Sequence, residues 1–194
     1  MDLKLTTYSV LIASSSDKFT DAITGMLPEG RYRPVKIAGS VSEARRELLE
    51  RAYDVVIINA PLPDEFGNRF AVDLCRTGGA GVMLFVKGEH FEEISGKLGD
   101  YGVMVLARPT SPSLVTQSLA LVCATRERMK RVEQKAQTME EKMEEIRLVN
   151  RAKWILIDQL KMSEPDAHRY IEKTAMDRCT TKRAVAQSII RTYG

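Results

Sequence analysis

The sequence is poor in the features that mark secreted, metal-binding and membrane proteins. Its 194 residues include three cysteines, Cys75, Cys123 and Cys179, and no two of them form a Cys-x-x-Cys pair. This odd, scattered set excludes a disulfide framework and a zinc site, so we expect reduced, buried thiols. The longest apolar runs, residues 55–58 and 82–86, are far shorter than the roughly 18 residues that a membrane span needs. The N-terminal apolar stretch lacks the basic flank and cleavage site of a secretory leader, so a cytoplasmic protein is predicted.

Histidine is equally scarce, with only His90 and His168 in the chain. Neither has a nucleophile or a set of metal ligands close to it in the sequence, and an isolated histidine is typical of a protein surface. We therefore predict no catalytic residues, no metal site and no cofactor, and a protein that is not an enzyme.

What the chain does have is an ordinary globular composition and an uneven charge. Hydrophobic residues make up 44% and charged residues 28%, and the length allows one large domain or two small ones. Residues 147–194 hold 10 basic against 5 acidic residues, whereas residues 1–112 hold 13 against 15. A basic surface attracts phosphate, although a solvated lysine-rich helix face would give the same count.

Residues 1–112 alternate apolar strands with helix-length segments. Their apolar runs are continuous, which indicates burial on both faces and therefore a parallel sheet between helices. The predicted fold is an α/β doubly wound domain whose ligand crevice lies at the carboxyl ends of the strands. That edge holds Ser14, Ser15, Asn59, Val86 and Arg108. The strands are predicted at residues 9–13, 35–38, 54–59, 81–86 and 103–107.

One long helix is predicted next, because residues 113–160 contain no glycine or proline and are rich in good helix formers. Its apolar residues recur at alternating spacings of three and four, the a/d pattern of a two-stranded coiled coil. We predict a homodimer through a coiled coil at residues 113–150; the alternative is an amphipathic helix that packs on its own chain. The predicted dimer seam consists of Met129, Val132, Ala136, Met139, Met143, Ile146 and Asn150.

Residues 151–194 are predicted to form a small three-helix bundle whose first helix continues the linker helix. Ser163 is predicted to cap the second helix, with Pro165 in its first turn. Thr180 or Thr181 is predicted to cap the third. Basic side chains beside a helix N-terminus suit a phosphate ligand.

Four segments of residues 1–112 resemble the receiver domains of two-component response regulators: VLIASSS, DVVIINAPLPDEFG, VMLFVKGE and VLARPTSP. The resemblance implies a flavodoxin-like fold of five strands. In that family two acids hold magnesium, an aspartate accepts phosphate, a hydroxyl ends the fourth strand and a lysine follows the fifth. Here Ser14 and Ser15, Asn59, Val86 and Arg108 stand at those positions. The departures imply a pseudo-receiver with neither a metal site nor a phosphoacceptor.

Two alternatives stay open for this edge of the sheet. Asp17 or Asp64 could accept phosphate in place of the missing aspartate. Arg108 could pair with Asp64 and hold one conformation of the domain, or it could be a plain surface arginine.

The last segment resembles the ANTAR domain, the RNA-binding output domain of transcription antitermination regulators. The likeness rests on Ala152-Lys153, Leu156, Ser163-Glu164, Ala167, Tyr170-Ile171, Ala175-Met176-Asp177 and Val185-Ala186 with Ile189-Ile190. It implies a target of two short RNA hairpins with hexanucleotide loops, one for each module of a dimer. Trp154 departs from the glycine usual in the family; we interpret it as a partly buried packing residue, or else as an aromatic added beside the binding face. The residues predicted to bind RNA are Lys153, Arg169, Lys173, Arg178, Thr180, Thr181, Lys182 and Arg183.

The predicted function is therefore that of a dimeric, RNA-binding transcription antiterminator whose input does not depend on phosphorylation. A DNA-binding response regulator with a C-terminal helix-turn-helix is one alternative. The other is a dimeric scaffold whose pseudo-receiver senses a partner protein or a small molecule.

Overall fold

A computed structural model describes residues 6–193; residues 1–5 and Gly194, the outer ends of the predicted segments 1–112 and 151–194, lie outside the described residues. The chain forms two compact units, which divide between Lys130 and Arg131. That division falls inside a helix, and the domain boundaries at residues 112 and 150 stay predictions. The strands are β1 (Tyr8–Ala13), β2 (Tyr32–Ala38), β3 (Val55–Asn59), β4 (Gly81–Lys87) and β5 (Met104–Arg108). The α-helices are α1 (Asp17–Gly25), α2 (Val41–Glu50), α3 (Asn68–Thr77), α4 (Phe91–Leu98), α5 (Pro112–Leu160), α6 (Glu164–Asp177) and α7 (Lys182–Tyr193).

The first unit is a five-stranded sheet in the order β2-β1-β3-β4-β5, and every neighbouring pair is parallel. Its two faces carry separate apolar cores. One core packs α2, α3 and α4 on the sheet, with Phe70 at its centre. The other packs α1 and the first turns of α5, from Val115 to Cys123. All five residues of β3 are buried, as the continuous apolar run predicted. The predicted doubly wound, flavodoxin-like fold is confirmed.

The second strand is longer than the sequence predicted. It begins at Tyr32 and contains Pro34, whereas the prediction placed its start after that proline. The sheet order explains the difference, because β2 is an edge strand and has one neighbour only. An edge strand tolerates a residue that cannot donate a backbone hydrogen bond. The ladder with β1 shifts register between Tyr8 and Val10 at the same level.

The helix α5 begins in one unit and ends in the other. Its start at Pro112 is capped by Ser111, whose hydroxyl accepts a hydrogen bond from the Leu114 amide at 3.2 Å. Residues 128–144 are exposed throughout, and the predicted seam residues Met139 and Ile146 are 68% and 59% exposed. In the part of the chain that the structure describes, this face therefore does not pack on its own chain. The coiled-coil dimer stays a prediction.

The second unit is built from the end of α5 with α6 and α7, around a core that includes Ala152, Leu156, Ile171 and Ala186. The predicted caps are confirmed. The Ser163 hydroxyl accepts from the Asp166 amide at 3.3 Å, and the Thr181 hydroxyl accepts from the Ala184 amide at 3.2 Å.

Two sequence interpretations in this unit are wrong. The spacing of Ala167, Tyr170 and Ile171 in the sequence predicts that Tyr170 lies on the apolar face of α6, but the residue is 43% exposed. The thiol of Cys179, expected to be buried, is exposed, because this residue lies in the turn after α6 rather than in the core.

Candidate nucleic-acid interface and receiver pocket

The carboxyl edge of the sheet brings Ser14 and Asn59 together. Ser14 follows β1 and Asn59 ends β3, and both are buried. The Asn59 amide nitrogen donates to the Ser14 hydroxyl at 3.0 Å, and that hydroxyl also accepts from the Ser16 amide at 3.1 Å. The Asn59 side-chain oxygen is buried with no hydrogen-bond partner among the described residues. Ser15 is exposed and takes no part in this network.

Arg108 closes the same edge from the end of β5. Its guanidinium donates to the carbonyl oxygen of Ala60, the residue directly after Asn59. Burial lowers the pKa of Arg108, and the side chain is partly buried, so the interpretation as a plain surface arginine is wrong. Val86, at the position of the family's hydroxyl, is fully buried and offers no polar atom.

Asp64 does not pair with Arg108. Its two carboxylate oxygens accept from the Val41 amide at 2.9 Å, and from the Ser42 amide and hydroxyl, each at 2.8 Å. These hydrogen bonds hold the pKa of Asp64 at about 2. The alternative in which Arg108 pairs with Asp64 is therefore wrong, because both oxygens of the Asp64 carboxylate accept hydrogen bonds from the first turn of α2.

In the three-helix unit, half of the predicted cations are held by carboxylates. The Lys153 ammonium lies 3.0 Å from Glu164, and Lys182 contacts Glu172. The hydrogen bond from Lys182 is the first cause of a lowered Glu172 pKa, with His168 contributing further. The Arg183 guanidinium lies 3.4 Å from Glu144 on α5. The sequence did not point to these acids as partners, because each pair joins two different helices.

The other predicted cations are available to a ligand. Arg169 and Lys173 lie one turn apart on α6, Arg178 follows that helix, and all three are exposed. None of them forms an ion pair within residues 6–193. Thr180 is exposed, whereas the Thr181 hydroxyl accepts a hydrogen bond from the first turn of α7.

Trp154 is 71% exposed, so the interpretation as a partly buried packing residue is wrong. The spacing of Trp154 from its neighbours along the helix indicates this exposure. Ala152 and Leu156 are four residues apart and both are buried, which places them on one face of the helix. Trp154 lies two residues from each of them and therefore on the opposite face.

Two concave surfaces adjoin these residues. The first is lined by Lys153, Trp154, Ile157 and Met162, among others. The second is lined by Lys142, Ile146, His168 and Lys182, among others. Both are lined by Asn150 and Lys153, and each also contains an acid, Glu164 in the first and Glu145 in the second; we call the two adjoining surfaces together the α5 groove.

Comparison with known proteins gives this arrangement a family. The model of the ANTAR domain matches residues 137–190. The transcriptional regulatory protein PdtaR of Mycobacterium tuberculosis is 29% identical over 186 residues, which cover 95% of this chain and 90% of that protein. Residues 137–190 therefore form an ANTAR domain, and the whole chain is similar to a transcriptional regulatory protein. All eight residues predicted to bind RNA lie inside the ANTAR match, and so does the α5 groove.

Solved structures identify the fold of the first unit. The receiver domain of an HD-domain protein from Pseudomonas fluorescens superposes with a TM-score of 0.58 at 16% identity, over 68% of this chain and 96% of its own. A chemotaxis response regulator of Vibrio cholerae gives a TM-score of 0.52 at 19% identity, over 60% and 99%. The first unit of this ANTAR-domain protein has the receiver fold. No helix within residues 6–193 is long and apolar enough to span a membrane.

Proposed function

We propose that the chain is a dimeric, non-enzymatic antiterminator that binds hairpin loops in nascent transcripts and thereby prevents terminator hairpins from forming. The ANTAR match over residues 137–190 supports an RNA-binding regulator of the antitermination type. The observation that carries the proposal is the exposed, unpaired set of Arg169, Lys173 and Arg178 within that domain. A target on nascent transcripts also places the protein in the cytoplasm.

Single-stranded RNA loops suit such a surface. The major groove of an RNA duplex is too deep and narrow for side chains, whereas loop bases are splayed out and accessible. Arg169, Lys173 and Arg178 would contact phosphates directly, and Thr180 adds a hydroxyl beside them. Lys153, Lys182 and Arg183 would exchange a carboxylate partner for a phosphate. Ion pairs at a protein surface contribute about 0–1 kcal/mol each, so this exchange costs little.

The proposal is tested by titrating a labelled RNA carrying two hexanucleotide-loop hairpins with the full-length protein. Replacing Arg169, Lys173 and Arg178 together by glutamine should weaken binding and reduce the salt dependence by about three phosphate contacts. The matched control is Lys18→Gln, which removes an exposed lysine of the receiver domain. It should leave the affinity unchanged.

Two results would contradict the proposal. Tighter binding to duplex DNA than to the hairpin RNA would favour the DNA-binding alternative. Absence of salt-dependent binding to either nucleic acid would favour a scaffold that responds to a partner protein or a metabolite.

We further propose that the receiver domain acts without phosphorylation. An asparagine at position 59 has no carboxylate to form an acyl phosphate, and Ser14 and Ser15 lack the charge that holds magnesium. The Ser14 hydroxyl is already bonded to Asn59 and Ser16, and Arg108 is bonded to the Ala60 carbonyl. A protein partner or small molecule would then provide the input.

Incubation with acetyl phosphate and magnesium, followed by intact-mass measurement, tests this second proposal. We expect no phosphoryl adduct on the native chain. Peptide mapping of any adduct to Asp17 or Asp64 would contradict the proposal, and RNA affinity should be the same with and without acetyl phosphate.

A further inference from the structure

Trp154 is the single tryptophan of the chain and one of its most exposed apolar side chains. Covering a large aromatic ring removes apolar surface from water, so contact with a ligand or partner is favourable. The ring lies on the face of α5 opposite the buried Ala152 and Leu156, and it lines the α5 groove. The core of the domain is complete without it, so the ring is available to a ligand.

The rest of the groove fits a nucleotide better than an apolar partner. Its two parts share Asn150 and Lys153; Trp154 lines one part, and His168 and Lys182 line the other. The groove therefore combines an aromatic face with the ammonium groups of two lysines. Proteins bind single-stranded RNA with this combination, because bases stack on aromatic rings while cations follow the phosphates.

We propose that Trp154 stacks on an unpaired base of the RNA loop and that Lys153 and Lys182 contact the neighbouring phosphates. The inference rests on the proposed RNA-binding function and assigns a base-stacking residue to it. Lys153 has only 17% of its side chain exposed and is paired with Glu164. Binding would release Glu164 to solvent as the phosphate replaces its carboxylate.

A second copy of the chain is the rival occupant of this surface. Ile146 and Asn150, which line part of the α5 groove, belong to the predicted dimer seam, whereas Lys153, Trp154 and Lys182 lie outside it. The polar lining favours RNA, since Lys153 and Lys182 would face an apolar seam in a dimer contact there. The experiment below separates the two occupants.

The sole tryptophan makes a direct test possible. The full-length protein is titrated with the two-hairpin RNA while tryptophan fluorescence and the anisotropy of labelled RNA are recorded together. We expect quenching that saturates at the same RNA concentration as binding. An RNA of the same stems without the loops should not quench.

Substitution provides the second readout. Trp154→Ala should weaken RNA binding by about 5- to 150-fold, the loss expected for one base stack. Trp154→Phe keeps a flat ring and should bind within a few-fold of the native chain. Leu49→Ala, which removes an even more exposed apolar side chain from the receiver domain, is the matched control and should have no effect. Thermal melting of each variant shows whether it is folded.

The outcomes separate the inference from the function on which it rests. If RNA binds the native chain and Trp154→Ala with equal affinity and without quenching, the inference is wrong and the proposed function stands. If the native chain binds no hairpin RNA, both are wrong. If tryptophan emission shifts with protein concentration in the absence of RNA and Trp154→Ala dissociates a dimer, the ring is covered by a second copy and the inference is wrong.

Discussion

At the scale of single residues, Asp64 lies in the loop after β3 but binds the first turn of helix α2. Its carboxylate accepts three hydrogen bonds from Val41 and Ser42 in the first turn of α2. A negative charge at this end of a helix also interacts favourably with the helix dipole. These hydrogen bonds connect the loop after β3 to the start of α2.

The first prediction concerns acid stability. The pKa of Asp64 is about 2 in the folded protein, below the value of about 3.9 for an unfolded chain. Its contribution is therefore fully present above about pH 4 and is lost as the pH falls from 4 towards 2. Asp64→Asn should lower the melting temperature at pH 7. The difference in melting temperature between this variant and the native chain should be smaller at pH 3. Asp21→Asn, at an exposed acid of α1, is the control. Equal melting curves for Asp64→Asn and the native chain at pH 7 would contradict a stabilising role for the hydrogen bonds from Val41 and Ser42 to Asp64.

The second prediction concerns the thiols. Burial raises the pKa of Cys123 to about 11 and also raises the pKa of Cys75, whereas Cys179 is exposed. Because the thiolate is the reactive form, Cys179 should react first with a thiol reagent at pH 8, the partly buried Cys75 more slowly, and the buried Cys123 only on unfolding. Peptide mapping should place the fast label on Cys179, and Cys179→Ala should abolish it. Fast labelling of Cys123 would contradict the buried position.

At the scale of elements, the sequence predicted more of the strands and helix starts than of the surfaces. Continuous apolar runs such as residues 55–58 locate buried strands, because both faces of a central strand need apolar residues. Ser163 was recognisable as a cap from its place before Glu164 and Pro165. The partners of Lys182 and Asp64 were not predictable, since each contact joins two elements whose relative position depends on the tertiary fold.

The third prediction concerns the end of α6. Cys179 has φ of 48°, in the left-handed region, and the Thr180 amide donates to the Ala175 carbonyl at 2.9 Å across it. This is the helix ending for which glycine is preferred, because a β-carbon is strained there. Cys179→Gly should stabilise the domain by about 0.5–1 kcal/mol, read as a higher melting temperature. Cys179→Ala removes the same thiol but keeps the β-carbon, so it should not stabilise. Equal effects of the two substitutions would contradict the argument from backbone strain.

At the scale of the whole molecule, the middle of α5 lacks tertiary packing, and a second copy of the chain would stabilise it. Residues 128–144 are exposed on every side, and a helix without tertiary packing is marginal in water. The seam residues Val132, Met139 and Met143 present an apolar stripe along this segment. Pairing two such stripes in a coiled coil would bury them and stabilise the helix.

The fourth prediction follows from that pairing. The native chain should have the mass of a dimer, and the double variant Val132→Glu with Met139→Glu should have that of a monomer, because it places carboxylates in the apolar seam at positions that do not line the α5 groove. Gln134→Glu with Gln137→Glu adds the same charge to the same helix outside the seam and should remain dimeric. Sedimentation equilibrium at several concentrations measures each mass. A monomeric native chain would contradict the predicted coiled-coil dimer.

The oligomeric state should also appear in RNA binding. A dimer can hold both hairpins of one transcript, and linking two binding events raises the overall affinity by up to about 10²–10⁴-fold without new contacts. The monomeric variant should therefore lose affinity for the two-hairpin RNA while keeping its affinity for a single hairpin. Equal losses on both RNAs would mean that the substitutions damage the ANTAR surface itself, whereas no loss on either would mean that one domain reads both hairpins in turn.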